Sequence, residues 1–254
     1  MRDVAFHLGP LTIHWYGVLL AGGFLAAFWT AARRGRRLGV PPDTIYDLVP
    51  WLVIGAVIGA RGVYVASYWQ DEFAGKPLTE MLAVQRGGLV FYGGLIGAAL
   101  GTILFARRRK TPLWQLADIA APSVALGQVF GRVGCFMHGC CYGRACDLPW
   151  AVHFPPSHPT GSAGVHPVQI YESVLNLALY LALAALFRRR RFDGQVFAAY
   201  LLGYATLRTI VESFRGDYPV AHLAAGLTPG QLVSAGIFAA GLLLLWKLPR
   251  ARAA

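Results

Sequence analysis

Four short runs of basic residues, each at the end of a long apolar stretch, leave this chain few architectures to choose from. They are Arg33, Arg34, Arg36 and Arg37; Arg107, Arg108, Arg109 and Lys110; Arg188 to Arg191; and Lys247, Arg250 and Arg252. Pro10 to Ala32 holds no formal charge beyond a titratable His14, Gly87 to Ala106 holds none, and Tyr218 to Trp246 holds only His222. Each is long enough to cross a hydrocarbon core, which takes roughly 20 residues as a helix. Four further blocks, about 46–68, 115–136, 169–187 and 194–214, are interrupted by isolated charges, Arg61, Arg132 and Arg208 among them.

Seven spans would put all four basic runs on one side, because they follow the first, third, fifth and seventh blocks. Cytoplasmic loops carry the excess of Lys and Arg, so that side is the cytoplasm and the N-terminus lies outside. The expectation is an all-α integral membrane protein of about seven transmembrane helices, with its C-terminus cytoplasmic. Residues 1–254 form a single polytopic domain, with 137–168 as a small external loop or head. The first block is expected to persist as a helix, since no basic n-region and small-residue cleavage site frame a short apolar stretch.

Composition agrees. Apolar residues make up 56% of the chain and charged residues 14%, against roughly half and a quarter in soluble domains. A soluble protein of this length would lack the polar chain to cover seven such helices. The net charge of +11 does not point to nucleic acid: the basic runs are juxtamembrane, where they anchor against anionic lipid.

Eight basic residues remain: Arg2, Arg61, Lys76, Arg86, Arg132, Arg144, Arg208 and Arg215. In this topology all fall outside or in the outer half of the membrane. A charge at membrane depth costs about 3 kcal/mol on insertion scales, so it is paired or functional. Pairing with Glu172, Glu212 or Asp118 is the plainer alternative. Three arginines at one level, Arg61, Arg132 and Arg208, outrun that supply of acids, and a phospholipid phosphate is the missing anion that suits the guanidinium fork.

The external segments are 1–10, 69–87, about 137–168 and about 215–227. The third is rich in Pro, Gly, Ser and His, the composition of an ordered loop. Cys135, Cys140, Cys141 and Cys146 stand at its start, spaced C-x4-C-C-x4-C. Three readings stay open: structural disulfides in any of three pairings or buried thiols, a zinc site with His138, or redox thiols. Glycine-rich turns at 86–98 and 127–134 admit either a headgroup against backbone N–H groups or close helix packing. Packing is expected for Gly97 and Gly101, and a functional role for Gly93 and Gly94 beside Tyr92 and Arg86.

Taken together, RGGLVFYGGLIG (86–97), GRVGCF with YGR (131–144), LPWAVHFP (148–155), HPVQIYE (166–172), GYATLRTIVESFRGDYP (203–219) and LTPGQL (227–232) resemble the bacterial prolipoprotein diacylglyceryl transferase family over nearly the whole chain. The resemblance implies transfer of a diacylglyceryl group from phosphatidylglycerol to the lipobox cysteine of a prolipoprotein, with release of glycerol phosphate. It implies a bacterial inner membrane location, a site facing the outer leaflet and periplasm, and neither cofactor nor metal. By position, Arg132 takes the family's phosphatidylglycerol-binding role, with Gly93, Gly94, Arg215 and Gly143 as further lipid-binding positions. Tyr204 and Arg208 match its essential tyrosine and arginine, four apart on one helix face.

Three positions depart from the family pattern: Tyr92 stands in place of histidine, Cys135 of asparagine and Cys140 of glutamate. Tyr92 is the candidate proton acceptor by position, although a phenol has an intrinsic pKa near ~10 and needs cationic neighbours to lower it. His138, a phosphate oxygen or water are the substitutes. Two other functions fit parts of the sequence: a membrane thiol-disulfide enzyme using Cys135, Cys140, Cys141 and Cys146, and a lipid-binding relative without catalysis.

Overall fold

A computed structural model describes residues 4–9, 11–217 and 228–251. Along the chain run the strands β1 (Val4–Leu8) and β2 (Leu11–His14), and the helices α1 (Trp15–Arg36) and α2 (Pro42–Ser67). They are followed by a single turn α3 (Leu78–Met81), α4 (Phe91–Arg109), α5 (Leu113–His138), β3 (Val152–His153) and β4 (Gly164–Val165). The chain closes with α6 (Val168–Arg189), α7 (Gln195–Glu212) and α8 (Pro229–Ala251). Residues 218–227, most of the last expected external segment, lie outside the described residues, as do Arg2 and Arg252.

The fold is mostly helical, with two small antiparallel hairpins that the all-α expectation omitted. The first apolar block is shorter as a helix than its composition suggests, since Leu11–His14 pairs with Val4–Leu8 and the helix starts only at Trp15. Among the described residues five helices, α1, α2, α5, α6 and α8, are both long and apolar enough to cross a membrane. The other two long helices fall short for visible reasons: α4 ends on three arginines, and α7 has 18 residues that include Arg208 and Glu212. Leu25, Ile58, Leu100, Leu181 and Leu243 are 55–71% exposed. Leucine and isoleucine stripes this open suit lipid as solvent.

Residues 32–116 gather into one unit, and residues 1–31 with 117–254 into another. Within the first, α2 and α4 touch backbone to backbone through glycine. A Cβ on Gly59 would run into the Gly93 carbonyl and come within 2.8 Å of the Gly97 Cα; one on Gly97 or Gly101 would strike the Gly55 or Trp51 carbonyl. Small residues at such contacts let membrane helices approach. Lys110 ends α4 in the left-handed region (φ 53°), and Arg109 reaches back to Asp47 at 2.5 Å.

Within the second unit, Asp118 on α5 is fully buried and accepts hydrogen bonds at 2.9 Å from the backbone N–H groups of Gly194 and Phe197. A carboxylate there satisfies orphan donors of the α7 start and complements its dipole. At α8, Thr228 Oγ1 accepts from the Gln231 N–H at 3.1 Å while Gln231 Oε1 accepts from the Thr228 N–H at 3.0 Å. That reciprocal capping box, with Pro229 in the first turn, accounts physically for the TPGQ sequence.

The segment after α5 turns at Gly139 (φ 84°) and Cys141 (φ 61°). It then threads between two neighbours. Gly143 and Cys146 donate to the carbonyls of His166 and Gly164, while Arg144 donates to Phe214 and Gly216 to Tyr142. This fixes residues 142–146 against the start of α6 and the end of α7.

Candidate active site

Three helices of the second unit carry polar side chains at helical spacing within apolar surroundings. α5 offers Gln128, Arg132 and Cys135, and α7 offers Tyr200, Tyr204, Arg208 and Glu212 at successive intervals of four. α6 offers Gln169, Glu172, Ser173 and Asn176, all buried. Spacings of three and four put each set on one helix face.

The charges are matched in pairs. Arg132 Nη2 lies 3.0 Å from Glu172 Oε1, and Arg208 Nη2 lies 2.7 Å from Glu212 Oε2. In both, the carboxylate is deeper: Glu172 and Glu212 side chains are 1–2% exposed, Arg132 and Arg208 19–23%. Arg215 is clamped by Asp217, Nε to Oδ1 at 2.9 Å and Nη2 to Oδ2 at 2.6 Å. Of the three arginines expected to outrun the nearby acids, Arg132 and Arg208 each have a carboxylate, by the pairing given as the plainer alternative, whereas Arg61 has none among the described residues and is held by backbone carbonyls. In Arg132, Arg208 and Arg215 the carboxylate fixes the direction of the guanidinium, whose other side remains partly exposed.

Glu212 is braced further. Thr228 Oγ1 donates to its Oε1 at 3.4 Å, and a Cβ on Gly230 would come within 2.7 Å of that same oxygen. The Tyr204 ring stacks on Tyr200, with centroids 5.8 Å apart, and Gln128 donates to the Tyr200 hydroxyl at 3.1 Å. On α6, Gln169 donates to the Cys140 carbonyl at 2.7 Å and Asn176 to the Glu172 carbonyl at 2.8 Å. Gln169 Oε1, Asn176 Oδ1 and Arg208 Nη1 are buried with no hydrogen-bond partner among the described residues. Buried polar atoms are normally satisfied, so these are positions where a polar ligand gains most.

Arg61 does something other than face lipid phosphate. Its guanidinium donates to four backbone carbonyls, those of Glu80, Met81, Gly87 and Gly88, at 2.8–3.1 Å. The Tyr64 and Phe73 rings flank it, each centroid 5.4 Å away. The fork ties residues 80–88 to α2. Gly93 has its lack of a side chain accounted for by the Gly59 and Val63 contact, whereas Gly94 makes only ordinary contact. Tyr92 is more than half exposed at the α4 start, its ring edge-on to Phe91. These residues belong to the first unit and the arginine pairs to the second.

Gly143 pairs with Arg215 in an isolated β-bridge, and a Cβ there would lie 2.6 Å from His166 and from Val168. All four cysteines are free thiols. The sulfurs of Cys135, Cys140 and Cys141 converge within 4.8 Å of one another, leaving out Cys146 and His138, whose ring lies 6.3 Å from that of Tyr16. The Cys135 and Cys140 thiols hold the Cys141 thiol far below the ordinary thiol range, with Arg215 and Arg132 adding to the effect. Cys140 is pushed up by Cys135 and Cys141.

Glu172, Gln169 and Asn176 are the residues that reading for charge alone undervalues. Their signal is present as Q-x-x-E-S-x-x-N within an apolar block.

A family model described as prolipoprotein diacylglyceryl transferase matches residues 3–247. A phosphatidylglycerol–prolipoprotein diacylglyceryl transferase of Synechococcus elongatus is 41% identical, covering 94% of this chain and 85% of its own length. Its namesake from Geobacter sulfurreducens is 40% identical over 94% and 92%, and that of Agrobacterium fabrum 38% over 99% and 92%.

Proposed function

The chain belongs to the prolipoprotein diacylglyceryl transferase family, and from that membership we propose that it transfers a diacylglyceryl group from phosphatidylglycerol to the lipobox cysteine thiol of a prolipoprotein. The lipobox thiol loses its proton, because the thiolate is the nucleophile. It attacks the glyceryl carbon, a C–S bond forms, and the C–O bond to phosphate breaks. Glycerol phosphate leaves with the electron pair.

The observation that carries this reading is the pair of arginines, Arg132 and Arg208, each held from behind by a buried glutamate. Guanidinium donors fixed before the substrate arrives stabilise charge building on a leaving phosphate without reorganisation. In this reading Arg132 binds the phosphatidylglycerol phosphate, with Arg215, Gly143, Gly93 and Gly94 as further lipid-binding positions. Arg208 and Tyr204 stabilise the leaving group, and the buried Gln169, Asn176 and Arg208 atoms supply the remaining polar contacts. The role of Tyr92 as proton acceptor rests on the resemblance alone. We assign the chain seven spans in the bacterial inner membrane, N-terminus outside and C-terminus cytoplasmic, with the site open to the outer leaflet and periplasm.

Membranes containing the protein, given phosphatidylglycerol and a lipobox peptide, are expected to yield a thioether-linked diacylglyceryl peptide and glycerol phosphate in equal amounts. Absence of product where a proven relative is active would overturn the reading.

A further inference from the structure

We propose that Cys135, Cys140 and Cys141 form a binding site for one soft thiophilic cation, copper(I) in class, at the C-terminal end of α5. Their sulfurs already lie within 4.8 Å of one another. Three thiolates around a metal at about 2.3 Å stand about 4 Å apart, so small side-chain rotations close the site. The cluster lies in the segment between Arg132 and Gly143, and the proposal does not rest on the transferase reading.

The backbone is shaped for convergence. The N–H groups of Gly139 and Cys140 both donate to the Cys135 carbonyl, at 2.9 and 3.1 Å, so the chain folds back over the end of α5. Cys141 then adopts φ 61°, a conformation that costs an ordinary L-residue about 1–2 kcal/mol. Cys146, five residues further on, takes no part in the cluster.

Around the loop a second layer holds it still. Gln169 donates to the Cys140 carbonyl at 2.7 Å, and the His158 ring lies 2.7 Å from the Gly139 carbonyl through Nε2. Sites pinned in this way lose little order on binding.

The donor set chooses the ion. Among the described residues it holds three sulfurs and no imidazole or carboxylate, where structural zinc takes four ligands. Soft thiolates in a three-coordinate set favour copper(I). On binding, each coordinated thiol gives its proton to solvent and no electron is transferred.

The test uses the full-length protein in detergent, kept reduced with a phosphine and shown to have four titratable thiols. Titration with copper(I) against a chromophoric chelator is expected to show one tight equivalent per chain. Cys135→Ser and Cys141→Ser should each abolish the tight equivalent, and Cys146→Ser should leave it unchanged. In wild-type membranes, copper(I) should protect three cysteines from alkylation and leave Cys146 labelled, a readout that needs no variant to fold. Less than one equivalent bound, or equal labelling of all four cysteines, overturns the proposal. Tighter retention of zinc(II) than copper(I) overturns the choice of a soft three-coordinate ion.

Discussion

Arg132 of α5 and Glu172 of α6 form an ion pair, 3.0 Å from Nη2 to Oε1, in which only the arginine has an exposed side. The glutamate therefore fixes the direction in which the guanidinium faces. Arg132→Ala is expected to lower thioether formation by roughly 10²–10³-fold, the cost of losing one preorganised donor at a developing charge. Arg132→Lys should restore little, since a point charge cannot present the two-pronged fork. Glu172→Gln keeps the volume and removes the hold, so turnover should fall about tenfold and thermal stability in detergent should drop. Wild-type turnover in Arg132→Ala would remove Arg132 from lipid binding.

The α2–α4 contact predicts a stability effect with its own control. Gly59→Ala would drive a methyl group into the Gly93 carbonyl, where backbone has nowhere to go. It is expected to cost about 1–3 kcal/mol, as overpacking does. Gly62, on the same helix, has nothing within 4 Å of where a Cβ would stand, so Gly62→Ala should be neutral or stabilise by up to ~1 kcal/mol through helix propensity. Thermal unfolding of both variants in one detergent separates packing from propensity.

Gly143 stands where the loop meets the start of α6. A side chain there meets the Cβ and carbonyl of His166 and a methyl of Val168 at 2.6 Å. Gly143→Ala should disturb the bridge to Arg215 and lower both stability and turnover. Retained turnover with unchanged melting would show that the loop can shift without consequence.

His166 gives the stability a pH dependence of known sign. It is buried, with Nδ1 3.3 Å from the Tyr171 hydroxyl and the Phe214 ring edge-on at 5.2 Å. Burial, with Arg144 adding, holds its pKa below the ordinary value of 6.5. The unfolded chain therefore binds the proton more readily than the folded one. Stability from this group is fully present above about pH 6.5 and is lost as pH falls through the lower folded value. Between pH 7.5 and 5.5 the wild type should lose more thermal stability than His166→Gln, measured by melting in detergent; parallel losses would assign the slope elsewhere.

How much of the fold and site is legible in sequence differs from residue to residue. The long helices follow from apolar runs, because a span of lipid tolerates little else. The Leu11–His14 strand is hidden because its residues are as apolar as the helix after it, and only pairing with Val4–Leu8 distinguishes them. Arg132 and Arg208 are legible as charges inside apolar helices. Arg61 has the same local pattern, yet its partners are carbonyls 19–27 residues along the chain, and no local pattern reports such contacts. The convergence of Cys135, Cys140 and Cys141 depends on the φ of 61° at Cys141, which spacing alone does not reveal.

Tyr92 is the proton acceptor in the proposed reading, and that role is open to direct test. A general base works best when its pKa lies near the operating pH. A phenol has an intrinsic value near ~10 and an imidazole one near ~6.5, so near neutral pH the imidazole is the better placed acceptor. If Tyr92 takes the lipobox proton, Tyr92→Phe should abolish most turnover. Tyr92→His, which supplies an imidazole as acceptor, should retain turnover that Tyr92→Phe loses. Because Tyr92 is largely exposed, neither change should disturb melting, so altered rates at constant stability would report on chemistry. Equal profiles for wild type, Tyr92→Phe and Tyr92→His would instead assign the proton to phosphate or water, and leave the arginine pairs as the source of catalysis.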